Sequence, residues 1–378
     1  MKGNMRFCVP CLFGVEGLVA QELRDMGLEQ VQAENGRVLF SGGWEAMVRA
    51  NLCCRFGERV LLLLGEFPAR SFEELFQGVK ALPWEGLLGK EDAFPVTGSS
   101  LSSQLHSVPD CQAIIKKAIV ERLKAKYKLS WFAESGALHR VRFRILKDQV
   151  SVLVDTSGEG LHKRGYRALS NDAPMKETLA ASLCQLSRLR QDGRLIDPFC
   201  GSGTILIEGA LLARNIAPGL GRAFTAESWG SVPGQLWQQE RERARSLERR
   251  DTGFTAQGFD VDPAAVELTL ANAQKAGVED CITASVRDVR DFTQEGPYGC
   301  VVCNPPYGER LLDVRQAQEL YRALGQVFQP RRGWSLGVIS PDPEFESLFG
   351  RKADKRRKLY NGMIQCQYYQ YFRGSDKR

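Results

Sequence analysis

The sequence predicts an α/β protein in which a mostly parallel, doubly wound sheet follows smaller α+β units. The first observation is an alternation of strands and helices after about residue 161, with predicted strands at 194–196, 255–259, 281–285, 299–303 and 335–339. The second is a different pattern before residue 161, where strands and amphipathic helices form two shorter groups. Strands are predicted there at 5–12, 38–40, 59–64, 141–146 and 150–155, and helices at 14–26, 44–54, 72–79 and 111–126.

The composition is that of a folded protein with more than one core. The chain has 378 residues, and 43% of them are hydrophobic, which excludes global disorder. The net charge of +6 is small, but residues 111–147 contain ten Lys or Arg against two Glu. Such a stretch suits a phosphate backbone, and the alternative is a solvated helix face. The candidate RNA contacts in this stretch are Lys116, Lys117, Lys124 and Arg142.

The cysteines favour a cytoplasmic protein with reduced thiols. There are eleven, an odd number spread through apolar stretches, which is not the pattern of a disulfide framework. Cys8 and Cys11 form a C-x-x-C pair, but no second pair at metal spacing follows, so no metal site is expected. The apolar run 7–15 resembles a signal peptide only superficially, and no run reaches the length of a membrane span. We therefore expect no membrane partner.

Residues 195–208, LIDPFCGSGTILIE, form a strand, a glycine-containing turn and the start of a helix. The strand ends at Asp197, and Gly201 and Gly203 permit a tight turn that a ligand can approach closely. The helix start exposes unpaired N–H groups at the carboxyl end of a parallel strand, where sheets of this kind bind ligands. The segment therefore predicts a ligand site.

The residues of this turn favour a cationic ligand. A phosphate loop would carry Lys after Gly203, and a dinucleotide fingerprint would carry Gly where this chain has Leu206. Asp197 would repel a pyrophosphate, whereas its charge suits an amino-acid ammonium and a sulfonium. We therefore predict S-adenosylmethionine as the cofactor.

Two further carboxylates follow predicted strands in chain order. Asp260 comes after the second strand of the sheet, where it could accept hydrogen bonds from both ribose hydroxyls. Asp288 follows the third strand, where it could accept from the adenine amino group. A single Asp at a strand end is usually a turn or a helix cap. Three of them in register with a glycine turn favour cofactor binding.

The fourth strand ends in Asn304, Pro305, Pro306 and Tyr307, the most specific signal in the chain. An exocyclic amino nitrogen is a poor nucleophile because its lone pair is delocalised into the base. The Asn304 side-chain oxygen and the Pro305 carbonyl could accept from the two amino hydrogens, and the proline rings stiffen the loop. Tyr307 offers a face for stacking the base. The alternative is a double-proline turn after a buried strand.

Two charged segments each leave two interpretations open, and a third interrupts the predicted sheet. In residues 155–167, the basic side chains of Lys163, Arg164 and Arg167 could reach RNA phosphates or brace the cofactor pocket. Residues 351–358 are either a basic loop on the substrate side or solvated surface. Residues 214–254 are a long charged insertion in the predicted sheet.

Together these motifs resemble the THUMP-domain RNA methyltransferases. Within them the chain is most similar to the bacterial family related to the N-terminal methyltransferase of large-subunit ribosomal RNA guanine-N2 methylation. The resemblance covers nearly the whole chain and is carried by residues 67–78, 111–117, 155–167, 173–178, 197–204 and 304–310. It implies a ferredoxin-like domain, a THUMP RNA-binding domain and a Rossmann-like class I methyltransferase domain, at residues 1–65, 66–160 and 161–378 respectively.

The resemblance also implies cofactor contacts from the glycine turn and the strand ends. The residues concerned are Asp197, Phe199, Gly201, Gly203, Thr204, Asp260, Asp288 and Asn304. The implied reaction is methylation of the 2-amino group of a guanine in 23S ribosomal RNA, with structured RNA as the partner and no DNA. The alternatives are a transfer RNA guanine-N2 methyltransferase and a non-catalytic RNA-binding ribosome-assembly factor. Larger members of the family carry a second methyltransferase domain, so a two-site activity is not expected here.

Overall fold

The computed structural model describes residues 4–167, 175–307, 314–328 and 332–372. These residues form two compact units. The first contains the described residues of Met1–Cys11, Val19–Leu161 and Ala223–Arg243. The second contains the described residues of Leu12–Leu18, His162–Arg222 and Ala244–Arg378. None of the helices in the described ranges combines the length and the apolar content that crossing a membrane requires.

The first unit is built on a seven-stranded sheet in the order β2-β3-β1-β4-β7-β6-β5. Its strands are β1 Met5–Pro10, β2 Glu29–Glu34, β3 Arg37–Gly42, β4 Leu61–Pro68, β5 Val96–Leu101, β6 Val141–Leu146 and β7 Gln149–Asp155. Its helices are α1 Glu16–Asp25, α2 Trp44–Cys53, α3 Phe72–Ala81 and α4 Val108–Tyr127. Neighbouring strands are antiparallel except β5 and β6, which are parallel. One sheet therefore runs through both predicted N-terminal groups.

The second unit is built on a seven-stranded sheet in the order β10-β9-β8-β11-β12-β14-β13. Its strands are β8 Arg194–Asp197, β9 Thr255–Asp260, β10 Ile282–Val286, β11 Gly299–Cys303, β12 Trp334–Ser340, β13 Lys355–Asn361 and β14 Ile364–Phe372. The remaining helices are α5 Glu177–Leu186, α6 Thr204–Ala213, α7 Gly234–Ser246, α8 Pro263–Ala276, α9 Val314–Val327 and α10 Phe345–Phe349. The first five strands are parallel, and β14 is antiparallel to both of its neighbours. The predicted fold class is confirmed.

Four strands are absent from the sequence prediction, and three of them lie at sheet edges. β2 and β5 form the two edges of the first sheet, and β13 forms one edge of the second. Edge strands pair on one side only and expose many side chains, so their sequences carry little apolar periodicity. The fourth, β14, was also missed, although it is largely buried. Because residues 355–358 lie in β13, the first of the two interpretations left open for 351–358, a basic loop, does not hold for that part.

The charged insertion contributes residues to the first unit. Trp229 stacks on His139 with ring centroids 4.3 Å apart, and its indole N–H donates to the Leu138 carbonyl at 2.9 Å. Glu240, which is buried, forms an ion pair with Arg49 at 2.8 Å. Packing therefore assigns residues 223–243 to the unit of the N-terminal half, whereas the domain limits at residues 65 and 160 stay a prediction.

Candidate active site

The carboxyl edge of the second sheet gathers the polar residues predicted from the sequence. Because β8, β9 and β11 are parallel neighbours, their ends lie at one edge of the sheet. Asp197 ends β8, Asp260 ends β9, and Asn304 directly follows β11. The Gly201 amide donates to the Asp260 carboxylate at 2.9 Å, which joins the glycine turn to the second strand end.

The glycine turn between β8 and α6 needs both of its glycines for different reasons. Gly201 has φ +53° and Gly203 has φ +77°, a region that side chains with a Cβ rarely adopt. A Cβ on Gly203 would lie 2.8 Å from Thr269 Cγ2, so this glycine allows close packing against α8. A Cβ on Gly201 would meet nothing within 4 Å, so this glycine borders open space. The turn thus leaves room for a ligand beside Gly201.

The carboxylates at the second and third strand ends are held differently. Asp260 is half-buried and accepts from two backbone amides, those of Gly201 and of Asp262 at 3.0 Å. Asp288 caps a short turn, and its two oxygens accept from the backbone amide and the guanidinium of Arg290, each at 2.8 Å. The capping role that the sequence left open for Asp288 is therefore present in the structure.

Asp197 lies inside the protein at the start of the turn. Its side chain is buried and accepts from the Phe199 amide at 3.0 Å. Burial, with a smaller contribution from the nearby Asp260 charge, raises the Asp197 pKa from its usual 3.8 to about 8. A cation bound beside this carboxyl would favour its ionised form, which is the electrostatic preference predicted from the sequence.

The raised pKa predicts how Asp197→Asn changes stability with pH in the absence of cofactor. Between pH 3.8 and about 8 the folded state keeps the carboxyl protonated while the unfolded chain ionises it. Stability from this group is therefore lost as pH rises through that window. We expect the melting temperature of Asp197→Asn to exceed that of the wild type increasingly from pH 5 towards pH 8. A difference in melting temperature that does not change with pH would contradict the raised pKa of Asp197.

The catalytic loop, defined as residues 304–307, contains an acceptor without a donor. The side-chain oxygen of Asn304 is buried and has no hydrogen-bond partner among the described residues. Buried polar groups are normally satisfied, so an orphaned acceptor in this position indicates a missing donor group. An exocyclic amino group is such a donor, and this observation supports the predicted role of the loop.

Tyr307 is fixed by a residue that the sequence reasoning missed. The Tyr307 ring is buried, and its hydroxyl accepts from the Asn361 side-chain amide at 2.7 Å. Asn361 ends β13 and begins the turn to β14. The Asn-Gly pair at 361–362 between two strand-like segments is a hairpin signal and could have revealed this element.

The three basic side chains singled out in residues 163–167 lie in different surroundings. Arg164 is buried and forms an ion pair with Glu208 of α6 at 3.3 Å, so its assignment as an RNA contact is wrong. Arg167 donates to the Thr204 hydroxyl at 2.6 Å, at the first residue of α6. Both arginines therefore brace the helix that follows the glycine turn, which was the other interpretation. Lys163 is exposed.

The basic stretch of the first unit is partly neutralised within the protein. Lys116 pairs with Glu134 and lies over the Phe94 ring at 3.6 Å, and Lys124 pairs with Glu121 at 3.1 Å. Arg142 pairs with Asp155 at 3.2 Å. Lys117 is exposed. The remaining basic residues of the stretch that are exposed are Lys126, Lys128, Arg140, Arg144 and Lys147. The exposed positive charge of this stretch therefore comes from Lys117, which the sequence analysis singled out, and from five basic residues that it did not.

Two of the motifs behind the family resemblance extend outside the described residues. These are residues 173–174 of the segment 173–178 and residues 308–310 of the segment 304–310. Among the described residues no group of three or more His, Cys, Asp or Glu is arranged to hold a metal ion. All eleven cysteines are free thiols.

Comparison with known families gives matches over each part of the chain. Residues 164–370 match the family model described as the RMKL-like methyltransferase domain. Residues 6–61 match the RlmL ferredoxin-like domain, and residues 69–155 match the THUMP domain. The fold is therefore that of a ferredoxin-like domain, a THUMP domain and a class I methyltransferase.

Three similar proteins extend this result. The chain is 44% identical to the proposed RNA methyltransferase YpsC of Bacillus subtilis, covering 95% of this chain and 94% of the relative. It is 35% identical to the ribosomal RNA large subunit methyltransferase K/L of Psychromonas ingrahamii over 99% of this chain, but it spans only 51% of that relative. The crystal structure of SMU.472, a proposed methyltransferase complexed with SAH, is 42% identical over the whole of both chains, with a TM-score of 0.94.

The sheet, the glycine turn and the catalytic loop define a class I methyltransferase. The chain belongs to the RMKL-like family of methyltransferases, in the form that carries a THUMP domain. The predicted class, an S-adenosylmethionine-dependent RNA methyltransferase, is confirmed, as is the predicted cofactor at the level of this family.

Proposed function

We propose that the protein transfers a methyl group from S-adenosylmethionine to the 2-amino group of a guanine in 23S ribosomal RNA. The observation that carries the proposal is the buried oxygen of Asn304, which has no hydrogen-bond partner among the described residues and lies at the same sheet edge as the open space beside Gly201. Asn304 supplies an acceptor for an amino group, and Gly201 borders space for a methyl donor.

The residues at this edge fit the cofactor in charge and in shape. Gly201 borders open space, Asp260 presents a carboxylate fixed by two amides, and the buried Asp197 would attract a neighbouring cation in its ionised form, which such a cation stabilises. Phe199, Gly203, Thr204 and Asp288 complete the proposed set. S-adenosylmethionine supplies an electrophilic methyl group when bound. The protein's own contribution is to orient the cofactor and to exclude water from the amino group.

In the proposed reaction the Asn304 side-chain oxygen and the Pro305 carbonyl accept hydrogen bonds from the two amino hydrogens. Withdrawing these hydrogens from the plane of the base moves the nitrogen towards a tetrahedral geometry with an available lone pair. Pro305 and Pro306 hold the acceptors in place, so little reorganisation is needed in the transition state. The proton leaves after methyl transfer, so no strong general base is required.

Asp260→Ala is expected to weaken cofactor binding. Loss of hydrogen bonds to a charged carboxylate costs about 1.5–3 kcal/mol, or roughly 10- to 100-fold in Kd. Calorimetric titration with S-adenosylmethionine measures the change. The matched control is Asp262→Ala, because Asp262 is a neighbouring exposed carboxylate that caps α8. Equal affinities for the two variants would reject the role given to Asp260.

Structured RNA is the proposed partner for three reasons. Exposed basic residues remain in the stretch 111–147, the THUMP model matches residues 69–155, and the K/L relative is named as a ribosomal RNA methyltransferase. We propose that residues 1–65, 66–160 and 161–378 act as ferredoxin-like, RNA-binding and catalytic domains. We also propose a cytoplasmic location, where ribosomal RNA and reduced thiols occur together.

Transfer of labelled methyl groups from S-adenosylmethionine to purified nucleic acids tests the proposal. Ribosomal RNA, transfer RNA and duplex DNA are compared, each isolated from cells that lack the protein. We expect incorporation into ribosomal RNA as N2-methylguanosine. Preferred incorporation into transfer RNA, or into DNA as a methylated adenine, would replace the proposed substrate. Cofactor binding without incorporation into any of the three would favour a non-catalytic assembly factor.

A further inference from the structure

The β13–β14 hairpin projects from the sheet beside the catalytic loop. Asn361 faces Ile364 across the turn, and β14 pairs with β12 such that Gln367 faces Ser340, the last residue of β12. β14 therefore continues three residues, roughly 10 Å, beyond the carboxyl end of β12. The hydrogen bond from Asn361 to the Tyr307 hydroxyl connects the base of this turn to the catalytic loop.

An apolar side chain occupies the tip of this hairpin. Met363 is 94% exposed, more than any other large hydrophobic residue in the described ranges. Gly362 has φ +65°, the left-handed conformation that a tight hairpin turn needs. The geometry of the turn therefore does not require methionine at the next position. A single exposed hydrophobic residue is common on protein surfaces. This one differs because it stands at the tip of an element bonded to the catalytic loop.

The strand that leads to the tip carries exposed positive charge. Lys355 and Lys358 are exposed, and no acidic side chain pairs with either among the described residues. The two arginines between them are engaged, Arg356 with Glu346 and Arg357 with the Gly14 carbonyl. Because they lie three residues apart in β13, the two lysines point to opposite faces of this edge strand, and each ammonium group can meet a nucleic-acid phosphate on its own side of the hairpin.

We propose that Met363 is a wedge that enters the RNA stack where the target guanine leaves it. An amino group can reach Asn304 only after its base has turned out of the stack, and the vacated space exposes the neighbouring bases. Apolar side chains, methionine among them, fill or open such steps in other nucleic-acid-binding proteins. Lys358 and, on the other face of β13 and farther from the tip, Lys355 hold backbone phosphates of the RNA. The inference rests on the proposed function, since it needs a nucleobase as substrate.

The test compares two short hairpin RNAs copied from the sequence around the guanine whose methylation is lost in cells lacking the protein. In the first, the guanine is paired. In the second, an abasic site stands opposite it, so less energy is needed to turn the base out. Methylation rates are measured for the wild type, Met363→Ala, Met363→Leu and Leu247→Ala. Leu247 is a hydrophobic residue of the same unit, 47% exposed, and serves as the matched control.

We expect Met363→Ala to lower kcat/KM on the paired hairpin about tenfold and to have little effect on the abasic hairpin. Met363→Leu, which keeps an apolar side chain of similar size, and Leu247→Ala should behave like the wild type. Equal effects of Met363→Ala on the two hairpins, or no effect on either, would overturn the wedge while leaving the proposed function intact. Failure of the wild type to methylate either RNA would overturn both, and this outcome is distinguishable from the first.

Discussion

Asn304→Ala is expected to reduce the rate of methyl transfer about 10²–10³-fold, the usual loss for a preorganised group that stabilises the transition state. The reason is that one of the two acceptors for the amino hydrogens disappears. Cofactor affinity should be nearly unchanged, because Asp197, Gly201 and Asp260 remain in place. Single-turnover kinetics with labelled cofactor and calorimetric titration measure the two quantities separately.

The stability of this variant gives an independent check. The Asn304 oxygen is buried and has no partner in the part of the chain that the structure describes, so its removal eliminates an unsatisfied polar group and should not lower the melting temperature. Asn304→Asp is the matched control, because it keeps an acceptor oxygen and should retain more activity than the alanine variant. If Asn304→Ala weakened cofactor binding and its rate of methyl transfer fell only to the same extent, the role assigned to this side chain would be contradicted.

Glu208→Ala is expected to be the most destabilising substitution considered, at about 3–5 kcal/mol, because it removes one partner of a buried ion pair. Glu208 accepts from Arg164 at 3.3 Å and from the Tyr166 hydroxyl at 3.1 Å, and all three side chains are buried. The variant would leave the Arg164 guanidinium charged inside the protein. Chemical denaturation measures the free energy of unfolding.

The double variant Arg164→Met with Glu208→Leu is the control for this prediction. It removes both charges and replaces them with apolar side chains of similar volume, which is often neutral or stabilising for buried pairs. We expect it to recover much of the stability that Glu208→Ala loses. If the double variant were as unstable as the single one, the cost would lie in lost packing or in the Tyr166 hydrogen bond instead of the unpaired charge.

The sequence was most informative where backbone geometry and chemistry coincide. Parallel strands end at one edge, so the positions of Asp197, Asp260 and Asn304 at strand ends were sufficient to predict that they lie at the same edge of the sheet. The glycine turn was equally readable, because Gly203 adopts a positive φ and packs closely against Thr269. Asp262 and Gly277, residue types that typically begin and end helices, cap α8 at its two ends.

Side-chain pairing could not be read in the same way. Arg164 and Lys116 looked like RNA contacts because a sequence shows charge but not the partner that neutralises it. Their acceptors, Glu208 and Glu134, lie 44 and 18 residues further along the chain. Asn361 was missed for a related reason, since its contact with Tyr307 spans 54 residues and it ends β13, an edge strand with little apolar periodicity. Long-range contacts of this kind arise only from the folded arrangement.

The central claim is that the catalytic loop and the glycine turn act together in methylating a guanine amino group of ribosomal RNA. The most direct measurement is mass mapping of methylated nucleotides in ribosomal RNA from a deletion strain supplied with either the wild-type chain or Asn304→Ala. We predict that one N2-methylguanosine of 23S RNA is absent from the deletion strain, returns with the wild type and does not return with Asn304→Ala. Identical methylation maps in all three strains would contradict the account.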